Sequence, residues 1–291
     1  MRKFSLADVL IYGYLGLLSL ICLFPFYYVG IVSFADPIVL LNTPLYVLPT
    51  SVDFGSYRIL IADGRIVNSA AVSVFVTVVG TLISLLVIVM AGYSLSKKVM
   101  PLRRFFMTMV LLAMFFGGQL IPYFIIIRNL GLINNIWVLI LPILVDPFFV
   151  IIAKNYFLSV SQSLEESARI DGAHDYRILF QIVIPVSKPM IASIALFRAV
   201  AYWNEWWHAM LFINNQRQYP LQMMLREILA SINAHLAESP IGALMIESRM
   251  PMNPQTVRMA AIMATALPII IVYPFIQKYF AKGLMLGSVK E

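Results

Sequence analysis

The side chains in this sequence that could do chemistry are few, and most stand inside apolar runs. Arg198 and Glu205 lie seven residues apart in a stretch with no other Lys, Arg, Asp or Glu from 189 to 213. At about 3.6 residues per turn they share nearly one helix face but sit about 10 Å apart, too far for a direct pair within one helix. Around them stand Tyr202, Trp203, Asn204, Trp206, Trp207 and His208. This mixture of flat apolar faces and hydrogen-bonding tips is one that sugars bind well. Trp206 and Trp207 read equally as an aromatic belt at a membrane interface, and Asn204 and Glu205 as a polar path or a subunit contact. His208 has no second ligand spaced to join it at a metal, so a hydrogen-bonded histidine is expected. Asp146, followed by Pro147, either lines the same path or pairs with Arg198 or Lys154.

A second cluster is strongly polar. Ser163, Glu165, Glu166, Ser167, Ala168, Arg169, Asp171 and Gly172 read as a short helix, with Ser163 as cap, Glu166 reaching back to it, and Gly172 free to take positive φ where the helix ends. Tyr176, Leu179, Phe180 and Val183 then recur on one face of a second helix, predicted to stop before Pro185. An apolar face outside the membrane needs a partner surface, or it lies on lipid.

The elements that position these groups follow from composition. Of 291 residues 61% are hydrophobic and 12% charged, against about 45–50% and about 25% in soluble domains, which makes a soluble domain untenable. Six stretches are long enough to cross about 30 Å of hydrocarbon: 9–34, 68–95, 105–127, 134–158, 188–213 and 258–280. Runs this long and apolar must be helices, because every backbone group has to be paired inside lipid. The expected fold class is therefore all-α, a polytopic membrane protein of six transmembrane helices. The first span, after Met1-Arg2-Lys3, is too long for a cleaved signal and is read as retained.

Lys97, Lys98, Arg103 and Arg104 crowd one short connection, and both ends of the chain are basic. The positive-inside rule places these in the cytoplasm, with N and C termini cytoplasmic. The net charge of +7 belongs to such clusters and forms no basic helix or RNA-binding motif, so no nucleic-acid partner is expected. The one cysteine, Cys22, excludes a disulfide framework and a thiolate metal cluster. Two connections are too long to be turns: 159–187, placed inside, and 214–257, placed outside. The outer one holds an amphipathic helix after Pro220, then a Pro-interrupted segment with Glu247 and Arg249.

The inner loop narrows the choice. Glu166-Ser167-Ala168, Gly172, Ile182 and Ile184-Pro185 resemble the cytoplasmic EAA motif of importer permeases in the ATP-binding-cassette (ABC) superfamily. Ser167 stands for the usual second alanine and Ile184 for the leucine before proline. Phe116-Gly117-Gly118, Asn155-Tyr156-Phe157, Tyr219-Pro220-Leu221-Gln222 and the end from Gly283 to Glu291 are similar to the carbohydrate-uptake branch, closest to its oligosaccharide and alginate subgroup. The resemblance covers most of the chain and implies a type I permease fold over 1–291 in the bacterial inner membrane. The expected partners are a second permease, an ATPase dimer, an extracytoplasmic solute-binding protein and an oligosaccharide.

By that resemblance Glu165, Glu166, Ser167, Ala168, Asp171, Gly172, Tyr176, Leu179, Phe180 and Pro185 couple to the ATPase. Arg198, Tyr202, Trp203, Asn204, Glu205 and Trp207 are expected to line the substrate path, and Glu247 and Arg249 to meet the binding protein. No GxxxxGK[ST] loop occurs, so ATP and Mg would be bound by the partner ATPase, and this chain is expected to be no enzyme and to hold no cofactor. An ion-driven secondary transporter would usually show inverted repeats, and the sequence displays no repeat; a non-transporting scaffold is the other alternative.

Overall fold

The computed structural model describes residues 6–43, 46–62, 64–116, 118–233 and 253–285. Among them all regular structure is helical. In chain order the helices are α1 (Leu6–Ser33), α2 (Pro37–Asn42), α3 (Gly55–Ala62), α4 (Arg65–Ser96), α5 (Arg103–Phe115), α6 (Leu120–Asn129), α7 (Pro147–Ser159), α8 (Gln162–Ile170) and α9 (Asp175–Ile178), followed by α10 (Ile184–Val186), α11 (Lys188–Trp203), α12 (Trp207–Phe212), α13 (Leu221–Asn233) and α14 (Pro254–Met285). Residues Ala7–Ser33, Arg65–Ser96 and Pro254–Val272 are each long and apolar enough to cross a membrane in one helix. α1 is apolar all round and exposes Val9 to Tyr27 almost throughout, as expected of a helix whose solvent is lipid.

The other three expected spans are not continuous helices. The third ends at Phe115 and resumes at Leu120; Pro122, in the first turn of α6, needs no backbone donor there. The fourth starts as two 3₁₀ turns, Ile136–Leu139 and Leu141–Ile143, and bends by 48° into α7. Pro147 causes the break by occupying the N-terminus of α7, where Asp146 accepts a hydrogen bond from Phe148 N–H at 3.0 Å. The fifth stops at Trp203 and restarts at Trp207.

The chain forms two compact units, residues 1–67 with 224–268 and residues 68–223 with 269–291. In the first, Val32, Ala35, Leu40 and Tyr46 make a small core. The Tyr46 hydroxyl donates to the Ser51 carbonyl at 3.1 Å and accepts Thr50 N–H at 3.0 Å, while Ser56 donates to Thr256 at 2.9 Å.

The second unit carries every described site residue, and among its described residues two cores stand out. One joins Ile88, Val89, Tyr93 and Leu95 of α4 to Val150, Ala153 and Phe157 of α7, and to Ala168, Ile178, Leu179 and Val183 of the inner loop. The other gathers Val72, Val76, Ile127, Val138, Leu139 and Ile140 with Tyr202, Ala209, Phe212 and Ile213. Small residues let helices approach. A Cβ on Gly92 would lie 2.7 Å from the Ala153 Cβ and 3.0 Å from the Lys154 nitrogen, closer than van der Waals contact permits.

Gly92→Val should therefore push α4 off α7 at a cost of about 1–3 kcal/mol. The expected outcome is a lower melting temperature and lower membrane yield of the detergent-solubilised protein; an unchanged melting curve would contradict this packing.

Candidate functional site

The inner loop is built from capping and turn chemistry. α8 begins one residue after Ser161, and Ser163 lies inside its first turn, sharing a 2.7 Å hydrogen bond with the Ser161 hydroxyl. Ser163 is thus not the cap that the S-x-x-E spacing predicts, because the chain turns helical two residues earlier. The other end follows expectation. Gly172 has φ +80°, its N–H reaches the Arg169 carbonyl at 3.0 Å, and Ala173 N–H reaches Ala168 at 2.9 Å, a Schellman closure.

Beyond the turn the predicted helix does not stop at Pro185. Between Ile178 and Ile184 the backbone widens into a π turn, with Ile184 N–H donating to Leu179, and continues through Ile184-Pro185-Val186. The widened turn makes room for the proline ring, which would otherwise strike the carbonyl four residues back. Only then does the chain bend by 85° into α11.

The loop has two sides. Ile178, Leu179 and Val183 are fully or nearly fully buried against α4 and α7, which removes Leu179 from the docking residues expected of it: it belongs to this chain's own core. Ala168 is buried too, so its small size serves internal packing. Glu165 turns inward, 8% exposed, and forms an ion pair with Lys97 at the end of α4. Glu166, Ser167, Asp171, Tyr176, Phe180 and Pro185 face outward. The outer side is more apolar than the sequence pattern revealed, since Ile170 is 87% and Tyr176 71% exposed. Arg169 braces the turn with a 2.5 Å contact to Asp175.

In the broken fifth span the charged groups hold backbone together. Arg198 is buried. Its Nε donates to Ser84 at 2.9 Å, one terminal nitrogen donates to the Ile143 carbonyl, and the other stands 3.7 Å from Asp146. Its guanidinium also lies 4.9 Å from the Tyr202 ring centroid. Ser84 in turn donates to the Leu144 carbonyl at 2.6 Å. Arg198 and Ser84 thus satisfy the carbonyls that the break before Pro147 leaves open. Of the two readings of Asp146, pairing with Arg198 is the one observed.

Glu205 works similarly at the second break. It accepts His208 N–H at 2.8 Å and meets His208 Nδ1 at 3.0 Å, and the Nε2 of His208 lies 2.7 Å from the Tyr123 hydroxyl of α6. Tyr202 and Trp203 are buried as well. Arg198, Tyr202, Trp203 and Glu205 are therefore internal braces, a correction to the expectation that they line an open path. Asn204 and Trp207 are exposed. The Asn204 amide donates to the Val200 carbonyl at 2.9 Å and accepts from Gln222 at 3.2 Å. Among the described residues no cluster of His, Cys, Asp or Glu could hold a metal ion.

Sequence reading missed Asn134. It adopts φ +56°, and its Oδ1 accepts N–H groups from Asn214 and Asn215 at 3.1 and 3.0 Å while its own N–H donates to Phe212 at 2.7 Å. This ties the start of the fourth span to the end of the fifth. The paired Asn134-Asn135 and Asn214-Asn215 were the available signal, since Asn tolerates the left-handed region. Glu247 and Arg249 lie outside the described residues.

Residues 86–285 match the family described as "Binding-protein-dependent transport system inner membrane component". Over 291 residues the chain is 41% identical to the polygalacturonan/rhamnogalacturonan transport system permease protein YtcP of Bacillus subtilis (strain 168), covering 99% of each. It is 37% identical to Protein LplC of the same organism, over 99% of this chain and 95% of that protein. A chain of a solved bacterial ABC transporter involved in the import of the acidic polysaccharide alginate is 33% identical, with a TM-score of 0.87 over 96% of this chain and 100% of that one.

Arg198→Leu should leave the Ile143 carbonyl unpaired at roughly 1–3 kcal/mol, lowering the melting temperature, whereas Asn204→Ala should leave it unchanged. Equal melting temperatures for the two variants would refute the bracing role.

Proposed function

Since the chain belongs to the family of binding-protein-dependent transport system inner membrane components, we propose that it is one of two membrane subunits of an ATP-driven ABC importer for oligosaccharides. It passes the bilayer six times, with both termini in the bacterial cytoplasm. A second permease completes the path, one subunit of an ATPase dimer docks on the inner loop, and an extracytoplasmic binding protein delivers the sugar. Fragments of acidic polysaccharides are the favoured cargo, because relatives are named for polygalacturonan and rhamnogalacturonan and the similar solved transporter for alginate.

One observation carries the coupling role. The segment from α8 to α10 is anchored by its buried side to α4 and α7, turns 85° away from α11, and presents a free outer side of Glu166, Ile170, Tyr176 and Phe180. An apolar patch rimmed by charge at the mouth of a membrane protein fits a groove on a soluble partner. When the ATPases close on ATP, the docked loop moves as a body and swings the spans joined to it, switching access from outside to inside. No covalent chemistry is asked of this chain.

The exposed Asn204 and Trp207, with the half-buried Gln222, are the groups best suited to touch sugar hydroxyls and ring faces. Arg198 is already committed to Ser84, Ile143 and Asp146. A sugar carboxylate would therefore be read elsewhere in the assembly.

The test is purification and reconstitution of the complex. Ile170→Glu or Gly172→Val should reduce co-isolation of the ATPase about tenfold, the glycine because a β-branched residue is strained at its positive φ. Asn204→Ala should keep the ATPase bound while sugar uptake falls. Uptake that continues without ATP but stops when an ion gradient is collapsed would sink the proposal.

A further inference from the structure

Two residues far apart in sequence link α8 to the end of α4. Lys97 Nζ meets Glu165 Oε2 and lies 4.2 Å from the centroid of the Tyr93 ring. The lysine and glutamate side chains are 23% and 11% exposed, so this pair is far drier than the outer contact of Arg169 with Asp175, at 49% and 65%. Tyr93 is itself fixed edge-on to Phe157 of α7, ring centroids 5.9 Å apart. Arg103 Nε donates to the Leu95 carbonyl at 2.8 Å and stiffens the turn that carries Lys97.

Apart from this pair, the buried residues that join the inner loop to α4 are apolar, Ala168, Ile178 and Leu179 sharing a core with Ile88, Val89 and Tyr93. Such contacts are non-directional and permit sliding. Beside them a cleft of about 390 Å³, lined by Met90, Tyr93, Lys97, Met100, Arg169 and Tyr176, leaves room for α9 to shift against α4. A half-buried ion pair supplies the missing directionality, since separating it costs the attraction between the two charges without restoring full hydration to the drier Glu165.

We infer that Lys97 and Glu165 are a positioning pair that locks the inner loop to α4, so that α4 moves with the docked ATPase although the loop is covalently joined only to α7 and α11. This rests on the importer reading above and assigns Glu165 to the inside of the machine, distinct from Glu166 on its docking side. The pair touches neither ATP nor sugar.

The experiment uses the complete reconstituted complex and counts sugar imported per ATP hydrolysed. Lys97→Glu and Glu165→Lys should each retain the ATPase in the complex yet lower that ratio about tenfold, and the combined exchange should restore most of it. Lys97→Met with Glu165→Gln, neutral and similar in length, should also lower the ratio, and it keeps the test available if a like-charge variant fails to assemble. An unchanged ratio in the single or neutral variants, or no recovery in the exchange, overturns the inference. So does loss of the ATPase from Glu165→Lys that the exchange does not repair, which would place Glu165 on the docking surface. A wild-type complex that lacks an ATPase sinks the importer reading and this inference with it.

Discussion

Inside a membrane no water is available to pair a loose carbonyl or amide, so each interruption of a helix must be repaired by the protein itself. This chain interrupts three of its expected spans, and the placement of its polar side chains follows from the repairs. Arg198 and Ser84 reach the carbonyls left open before Pro147, Asp146 takes an amide at the start of α7, and Glu205 takes one at the start of α12. His208 passes the second repair on to Tyr123. The charged residues that stand out in an apolar sequence are first of all answers to broken backbone.

The same demand divides the inner loop. The loop folds on its own turn chemistry, seen in the Schellman closure at Gly172. One face is pulled into the core by Ile178, Leu179 and Val183, leaving Ile170, Tyr176 and Phe180 uncovered. Covering that face with a partner recovers apolar burial that the chain cannot obtain alone. The backbone phase of two short helices decides which of these few apolar residues goes to the core and which stays uncovered.

Much of this was legible beforehand. Helical class, the glycine turn at Gly172 and the hydrogen-bonded His208 all follow from length, spacing and residue type, because an apolar chain and positive φ restrict the choices severely. Leu179 was misplaced because a 3.6-residue wheel places it beside Tyr176 and Phe180, whereas the π turn and the neighbouring α4 draw it inward. Ser163 was misread because a capping box is a local pattern and the helix start is fixed by what precedes it. Arg198 has no local partner in the sequence because Ser84 and Ile143, which it binds, lie 114 and 55 residues away. Long-range pairing of this kind leaves no trace in local periodicity.

The π turn between Ile178 and Ile184 amounts to one residue more than an α-helix of the same rise would hold. One residue is about 100° of helix phase. The length of this segment is accordingly not free to drift: a single deletion would rotate everything on one side of it by roughly a quarter turn, setting the inward Val183 and the outward Tyr176 against each other. Insertions and deletions in this family should accumulate in other connections, because here each one would exchange a buried face for an uncovered one.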